Sequence, residues 1–394
     1  RLIDPVRQEA ANATESATQL SDEKVAVAGL VNHKSGLGQN ARNSLKALAL
    51  AGMHACPAPF FPARGGWNPR LGPSQEAVRS LEDHTVLLHL PIDKVIPSLA
   101  AQPALLRTDR LIGYFMWEVE AVPKAFQRAL DIVDEIWTAT EFVADAFRNV
   151  TDTPVHVTGH AVDVTCVEEV TRSELGLAEG TFVVHYSFDA NSTVARKNPN
   201  AALDAFDLAF GEDLDAAFVL KVRNFQQAEH LAKQGDPHAK GLIQRLSERS
   251  NIYVVVGEMS YARSLGLMKM SDCFLSLHRS EGFGYAIAEA LRLGIPAVFT
   301  AYSGPTEFLG HSLARPVEYS ILPVNPADYF YWTPDSVWAE ADIELAAEAL
   351  QQERNRGSHS EAGNRCNALQ DLGFDSLSAT YVHLLGGTAR GAAE

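Results

Sequence analysis

The run Cys273-Phe274-Leu275-Ser276-Leu277, continued by His278-Arg279-Ser280-Glu281-Gly282-Phe283-Gly284-Tyr285-Ala286-Ile287-Ala288-Glu289-Ala290, decides how the rest of the chain is read. Its first five residues are apolar enough for a short buried strand, and the sequence after Gly284 reads as a helix ending at Gly294. Strand, glycine loop and helix in that order turn backbone N–H groups and the positive end of a helix dipole toward an anion. Gly282 and Gly284 let the backbone approach a ligand closely and take positive φ where a turn needs it. Glu281 lies in the turn and Glu289 on the helix. A carboxylate beside a phosphate cradle disfavours a bare anion, but it suits a ligand that also presents hydroxyls, as a nucleotide-sugar does. The ordinary reading of two such glutamates is an exposed turn and a solvated helix face, so the flanking sequence has to decide.

The flanks repeat the same unit. Val25–Val31 reads as a strand, and Ser35-Gly36-Leu37-Gly38 as a loop before a helix that starts near Gln39 and closes at Gly52. Strands follow at 86–90, 111–117, 134–139 and 155–158, with a helix from Glu141 to about Arg148. A polar connection at about 163–180 separates this half from a second alternation. There, strands are expected at 181–186, 216–222, 252–256, 273–277 and 296–299, with helices at 198–210, 239–248 and 265–270. Helices at 335–354 and 376–385 close the chain. Alternating strands and helices predict two doubly wound α/β domains with parallel sheets. The expected divisions are a mobile lead-in at 1–23, a first domain at 24–165, a second at 166–375, and a C-terminal helix and tail at 376–394. Ligands of such folds bind at the C-terminal strand ends, here expected in a cleft between the domains.

Composition narrows the function. With 394 residues the chain exceeds one compact core. Its net charge of −16 excludes a general nucleic-acid binder. No apolar run approaches the roughly 20 residues of a membrane helix. No secretory signal is visible, and the opening on Arg1 fits removal of a preceding segment. Cys56, Cys166, Cys273 and Cys366 are widely spaced, which disfavours metal and redox motifs and fits a reducing cytoplasm. Contact with the inner face of a membrane stays open.

The segment around Glu281, with Pro296-Ala297-Val298-Phe299-Thr300-Ala301-Tyr302-Ser303-Gly304 and Glu307 behind it, resembles retaining glycosyltransferases of family 4. The resemblance implies the GT-B fold, two facing Rossmann-like domains, with a nucleoside-diphosphate-sugar held mainly by the second. The family's glutamate–seven–glutamate motif maps onto Glu281, which would contact the transferred sugar, and Glu289, which would accept from ribose hydroxyls. Backbone N–H groups of Gly282, Phe283 and Gly284 would hold sugar and diphosphate. Lys197 matches the family's diphosphate lysine. The usual arginine five residues earlier is absent, Ser187 and Phe188 standing near its place, so Arg196 or Arg223 is expected to take that role. Gly36 and Gly38 match the first-domain loop that borders the diphosphate, and Glu307 is expected at the border of the site. The histidine that many members carry in the first domain has no counterpart in Tyr114-Phe115-Met116-Trp117-Glu118; Trp117, Glu118 or His89 stands as the candidate sugar or acceptor contact.

These readings imply a retaining hexosyltransferase acting on a saccharide, lipid-linked or other hydroxyl acceptor in bacterial polysaccharide or glycolipid synthesis. No cofactor or metal is expected, because positive charge and helix dipoles hold the leaving diphosphate. A nucleotide-sugar epimerase and a non-catalytic nucleotide-sugar-binding homologue remain the alternatives.

Overall fold

A computed structural model describes residues 24–32, 35–60, 81, 83–357 and 372–386. The expected lead-in at 1–23 and Cys366 lie outside the described residues. The chain divides into two compact units. The first holds the described residues up to 117, residues 122–162 and the C-terminal helix; the second holds 118–121 and 163–357.

In the first unit, β1 (Lys24–Gly29), β2 (His54–Pro59), β3 (Thr85–His89), β4 (Arg110–Tyr114), β5 (Glu135–Thr138) and β6 (Val155–Val157) form one sheet. Its order is β2-β1-β3-β4-β5-β6, and every pairing is parallel. β3 is buried along its whole length, as a strand covered on both faces must be. β2, rich in proline, escapes a reading by hydrophobic pattern. It occupies a sheet edge, where a missing N–H donor is tolerated. The helix Phe374–Gly386 packs on the helix Gly36–Leu50: the hydroxyls of Tyr381 and Ser44 meet at 2.8 Å, and Ser378 donates to Ala47 O at 2.8 Å.

In the second unit, β7 (Phe182–Asp189), β8 (Ala216–Arg223), β9 (Ile252–Val256), β10 (Cys273–Ser276), β11 (Ala297–Thr300) and β12 (Ala314–Val317) are again parallel. The order is β12-β11-β10-β7-β8-β9. Strand order therefore reverses between β7 and β10, the switch point beyond whose C-terminal ends open α/β sheets bind ligands. Phe206, Phe218 and Tyr186 pack together under this sheet at ring separations of 5.3 and 6.1 Å.

One expected helix is corrected. The stretch 335–354 is divided: β14 (Val337–Ala341) forms an antiparallel hairpin with β13 (Tyr319–Pro323), and the helix begins only at Ile343. Asp342 ends the strand and caps the helix, accepting from Leu345 N at 3.1 Å.

Candidate functional site

β7 and β10 each deliver one half of a charged cluster. Beyond β7, Thr193 (φ 60) and Asn198 (φ 51) bracket a single helical turn, Val194–Lys197. Asn tolerates the left-handed conformation, and Pro199 then starts the next helix in its favoured first position. The two bends hold Arg196 and Lys197 at the strand end. Beyond β10, the loop 277–284 ends at Gly284 (φ 86), which caps the helix Tyr285–Arg292 without a side-chain hydrogen bond. A Cβ at Gly284 would also stand 2.9 Å from Pro305 Cγ, so a side chain is excluded on both counts.

Across the switch point, Lys197 Nζ donates to Glu281 Oε1. Arg196 Nη1 lies 3.4 Å from the same oxygen and donates to Ser280 O at 2.7 Å. His278 Nε2 stands 3.5 Å from it. All three contacts go to Oε1; among the described residues none goes to Oε2. Burial would raise the Glu281 carboxyl, but Lys197 and Arg196 outweigh it and hold the group down at about 2. Burial lowers Lys197, opposed by Glu281. Burial also brings His278 down to about 3, so its imidazole is neutral. Tyr186 joins the halves: its hydroxyl donates to Lys197 O and its ring stacks on His278 at 5.4 Å.

A third loop, after β11, clamps the turn. Ser303 Oγ accepts from Glu281 N at 2.9 Å, and Gly304 N donates to Glu281 O at 2.9 Å. Ser303 takes φ 61, a strained conformation for a residue with a Cβ. A Cβ on Gly304 would lie 2.4 Å from Gly282 O and 2.6 Å from Phe283 N. Gly304→Ala is therefore expected to push two backbone segments apart and cost about 1–3 kcal/mol, read as a lowered midpoint in denaturant melts.

Glu289 lies apart from this cluster, on the helix face toward Lys221 and Tyr261. Burial pushes its carboxyl up to about 7 against the pull of Tyr261 and Lys221. Lys221 Nζ donates to Ser264 Oγ at 2.7 Å.

The other candidates fall as follows. The Phe283 ring is buried edge-on to Phe308 at 5.3 Å. Arg223 pairs with Asp189 at 3.8 Å, at the end of β8. Glu307 is exposed on the 3-10 turn Gly304–Phe308, outside the Lys197–Glu281 cluster. Gly36 and Gly38 form the first helical turn after β1, not a loop before it, because Ser35 caps the helix by accepting from Gly38 N at 3.2 Å. Two candidates are corrected. His89 is fully buried, stacked on Tyr114 at 4.6 Å, and Trp117 is 1% exposed, edge-on to Phe126; both are core residues of the first unit. Glu118 is bound inward, to Arg196 and Tyr329. The sequence reading missed Tyr186, Lys221 and Tyr329, which sit in strands or loops without a motif, and gave Ser303 no role although it stands in the quoted glycine turn; the one further signal was that Tyr186 and Lys221 lie near the ends of apolar strands.

Residues 192–315, the segment that carries the cluster, match the family model of glycosyl transferases group 1. No curated protein matches the chain. Among solved structures, the chain is similar to a sucrose-phosphate synthase from Thermosynechococcus elongatus, at 13% identity over 94% of this chain and 100% of that one, with a TM-score of 0.65. It is also similar to a UDP-forming α,α-trehalose-phosphate synthase from Burkholderia xenovorans, at 12% identity over 94% and 100%, with a TM-score of 0.61. It spans 60% of the length of a pneumococcal O-GlcNAc transferase solved with UDP and GlcNAc, at 13% identity over 80% of this chain, with a TM-score of 0.49. The fold is GT-B, two Rossmann-like α/β domains, and the match to glycosyl transferases group 1 falls within the second.

Proposed function

We propose that this protein is a retaining glycosyltransferase of the family 4 type, moving a hexose from a nucleoside-diphosphate-sugar to a hydroxyl acceptor. The observation that carries the reading is the Lys197–Glu281 contact at the β7–β10 switch point, within the matched segment. A cation, an ionised acceptor and an uncapped helix start are the groups a sugar diphosphate needs. Lys197 meets the diphosphate and stabilises the charge that grows on it as the anomeric C–O bond breaks. Glu281 accepts from a sugar hydroxyl through Oε2, and Glu289 accepts from the ribose. The acceptor hydroxyl attacks the anomeric carbon from the face the diphosphate leaves, and a phosphate oxygen of the leaving group takes its proton. No protein base is required, and positive charge stands where a metal would otherwise serve. The wide spacing of the four cysteines supports a reducing cytoplasm as the setting. The family resemblance alone points to polysaccharide or glycolipid assembly.

A melting-point screen against UDP-, GDP-, ADP- and dTDP-sugars tests the reading, because a ligand bound only by the folded state must raise the melting temperature. One of the four is expected to do so and to be consumed when acceptors are supplied. If none shifts the melt and none is consumed, the reading is overturned.

Glu289 gives this donor site a pH dependence. Ribose hydroxyls are donors and favour the ionised carboxylate, but burial keeps Glu289 protonated below about 7. Donor affinity is therefore expected to weaken as pH falls from 7 to 5, approaching about tenfold per unit in the limiting case. Glu289→Gln is expected to bind more weakly at pH 8 and to lose this slope, as titration calorimetry at several pH values will show.

A further inference from the structure

The short segment 118–121 belongs to the second unit, although the residues on either side of it belong to the first. It meets the glutamate loop at Ser280 and the turn after β7 at Arg196. The Ser280 hydroxyl donates to Glu118 O. The Glu118 carboxylate lies 3.7 Å from Arg196 Nη2 through Oε1, and its Oε2 accepts from the Tyr329 hydroxyl at 2.8 Å. Arg196 is 3% exposed, so its guanidinium cannot exchange these partners for water. Two cations, Arg196 and Lys197, are thus balanced by two carboxylates, Glu281 and Glu118.

We propose that Glu118 and Tyr329 are positioning residues that act through Arg196, holding its guanidinium toward Glu118 so that Glu281 keeps Lys197 as its main partner. The effect on turnover rests on the glycosyltransferase reading; the effect on the loop does not. Without the Glu118 charge, Glu281 is the remaining carboxylate among the described residues in contact with a buried guanidinium that must stay paired. A guanidinium takes both oxygens of a carboxylate where it can. It would then draw in Oε2, which accepts no hydrogen bond from the described residues, and compete with Lys197 for Oε1. Tyr329, 5% exposed, has its phenol held well above the usual range by burial and then by Glu118, so it remains a donor throughout the working pH range.

The test uses the full chain with Glu118→Gln, Tyr329→Phe, Arg196→Gln and the double variant Glu118→Gln/Arg196→Gln. Amide hydrogen exchange is followed over residues 278–284, and steady-state kinetics are measured with the donor found by the melting screen. Glu118→Gln is expected to speed exchange of that loop about tenfold. It should lower kcat about tenfold while nucleoside-diphosphate affinity stays within about threefold. Tyr329→Phe should move both readouts the same way by less. The double variant should be no slower than Arg196→Gln alone, because effects routed through one residue do not add. Wild-type exchange in Glu118→Gln, or losses that multiply in the double variant, overturns the proposal. If the unmutated chain consumes no sugar nucleotide, the glycosyltransferase reading fails, and hydrogen exchange alone decides the positioning role.

Discussion

Replacing Lys197 with alanine is expected to lower kcat about a hundredfold to a thousandfold, the loss that follows removal of one preorganised donor from a developing charge. Before the bond breaks, the diphosphate already carries charge that loop amides share. As the anomeric C–O bond opens, further charge flows to the leaving oxygen, and an ammonium within hydrogen-bond reach gains most at that moment. Lys197 is fixed in place. Its carbonyl is held by Tyr186, its turn is bracketed by Thr193 and Asn198, and its side chain is 14% exposed. Arg196, whose side chain is 4% exposed, is occupied by Ser280 O, Glu281 and Glu118, so it cannot turn outward to substitute. Lys197→Arg is not expected to rescue, since a planar fork beside Arg196 cannot reproduce a point charge. The exposed Lys240 supplies the control: Lys240→Ala should turn over like the unmutated chain. The measurement is steady-state donor consumption with acceptor, beside a melt showing that the variant folds. A loss below about fivefold would show that Lys197 does not carry transition-state charge.

The α/β alternation was legible because strands buried on both faces are continuous apolar runs, a local property. Strands that exist through pairing were not legible: Val337-Trp338-Ala339-Glu340-Ala341 precedes an alanine- and glutamate-rich helix and takes its register from Tyr319–Pro323. For the site, Lys197 and Glu281 stood out as polar groups at strand ends, although 84 residues separate them. Their meeting follows from the strand order that puts β7 beside β10, which the α/β pattern implies. Burial was the weak point. Nothing around His89 or Trp117 distinguishes a ring inside the sheet from one at its edge. The inward pairing of Glu118 joins it to Arg196 and Tyr329 across residues that share no motif, and to Ser280 across 162 positions.

Glu281→Gln separates the two tasks assigned to this carboxylate, and it is expected to lower turnover about a hundredfold or more while binding of the free nucleoside diphosphate stays within about threefold. Glutamine keeps an oxygen that accepts a hydroxyl, but it loses the charge that holds Lys197. Two cations then face Glu118 alone, so the excess positive charge favours the diphosphate in the ground state and offsets any loosening of the loop. The sugar loses its charged acceptor, and Lys197 settles on the bound diphosphate before reaction, so less of its stabilisation is left for the transition state. The same substitution removes a pH dependence of stability. The folded-state pKa of Glu281 is depressed to about 2. Its contribution is therefore present above the ordinary carboxylate range and is lost as pH falls from about 4.5 toward 2. Urea midpoints of the unmutated chain should fall across that window more steeply than those of Glu281→Gln. A variant that turns over normally, or that titrates like the unmutated chain, would remove Glu281 from the site. A variant that loses nucleoside-diphosphate binding along with turnover would instead assign it to shaping the loop.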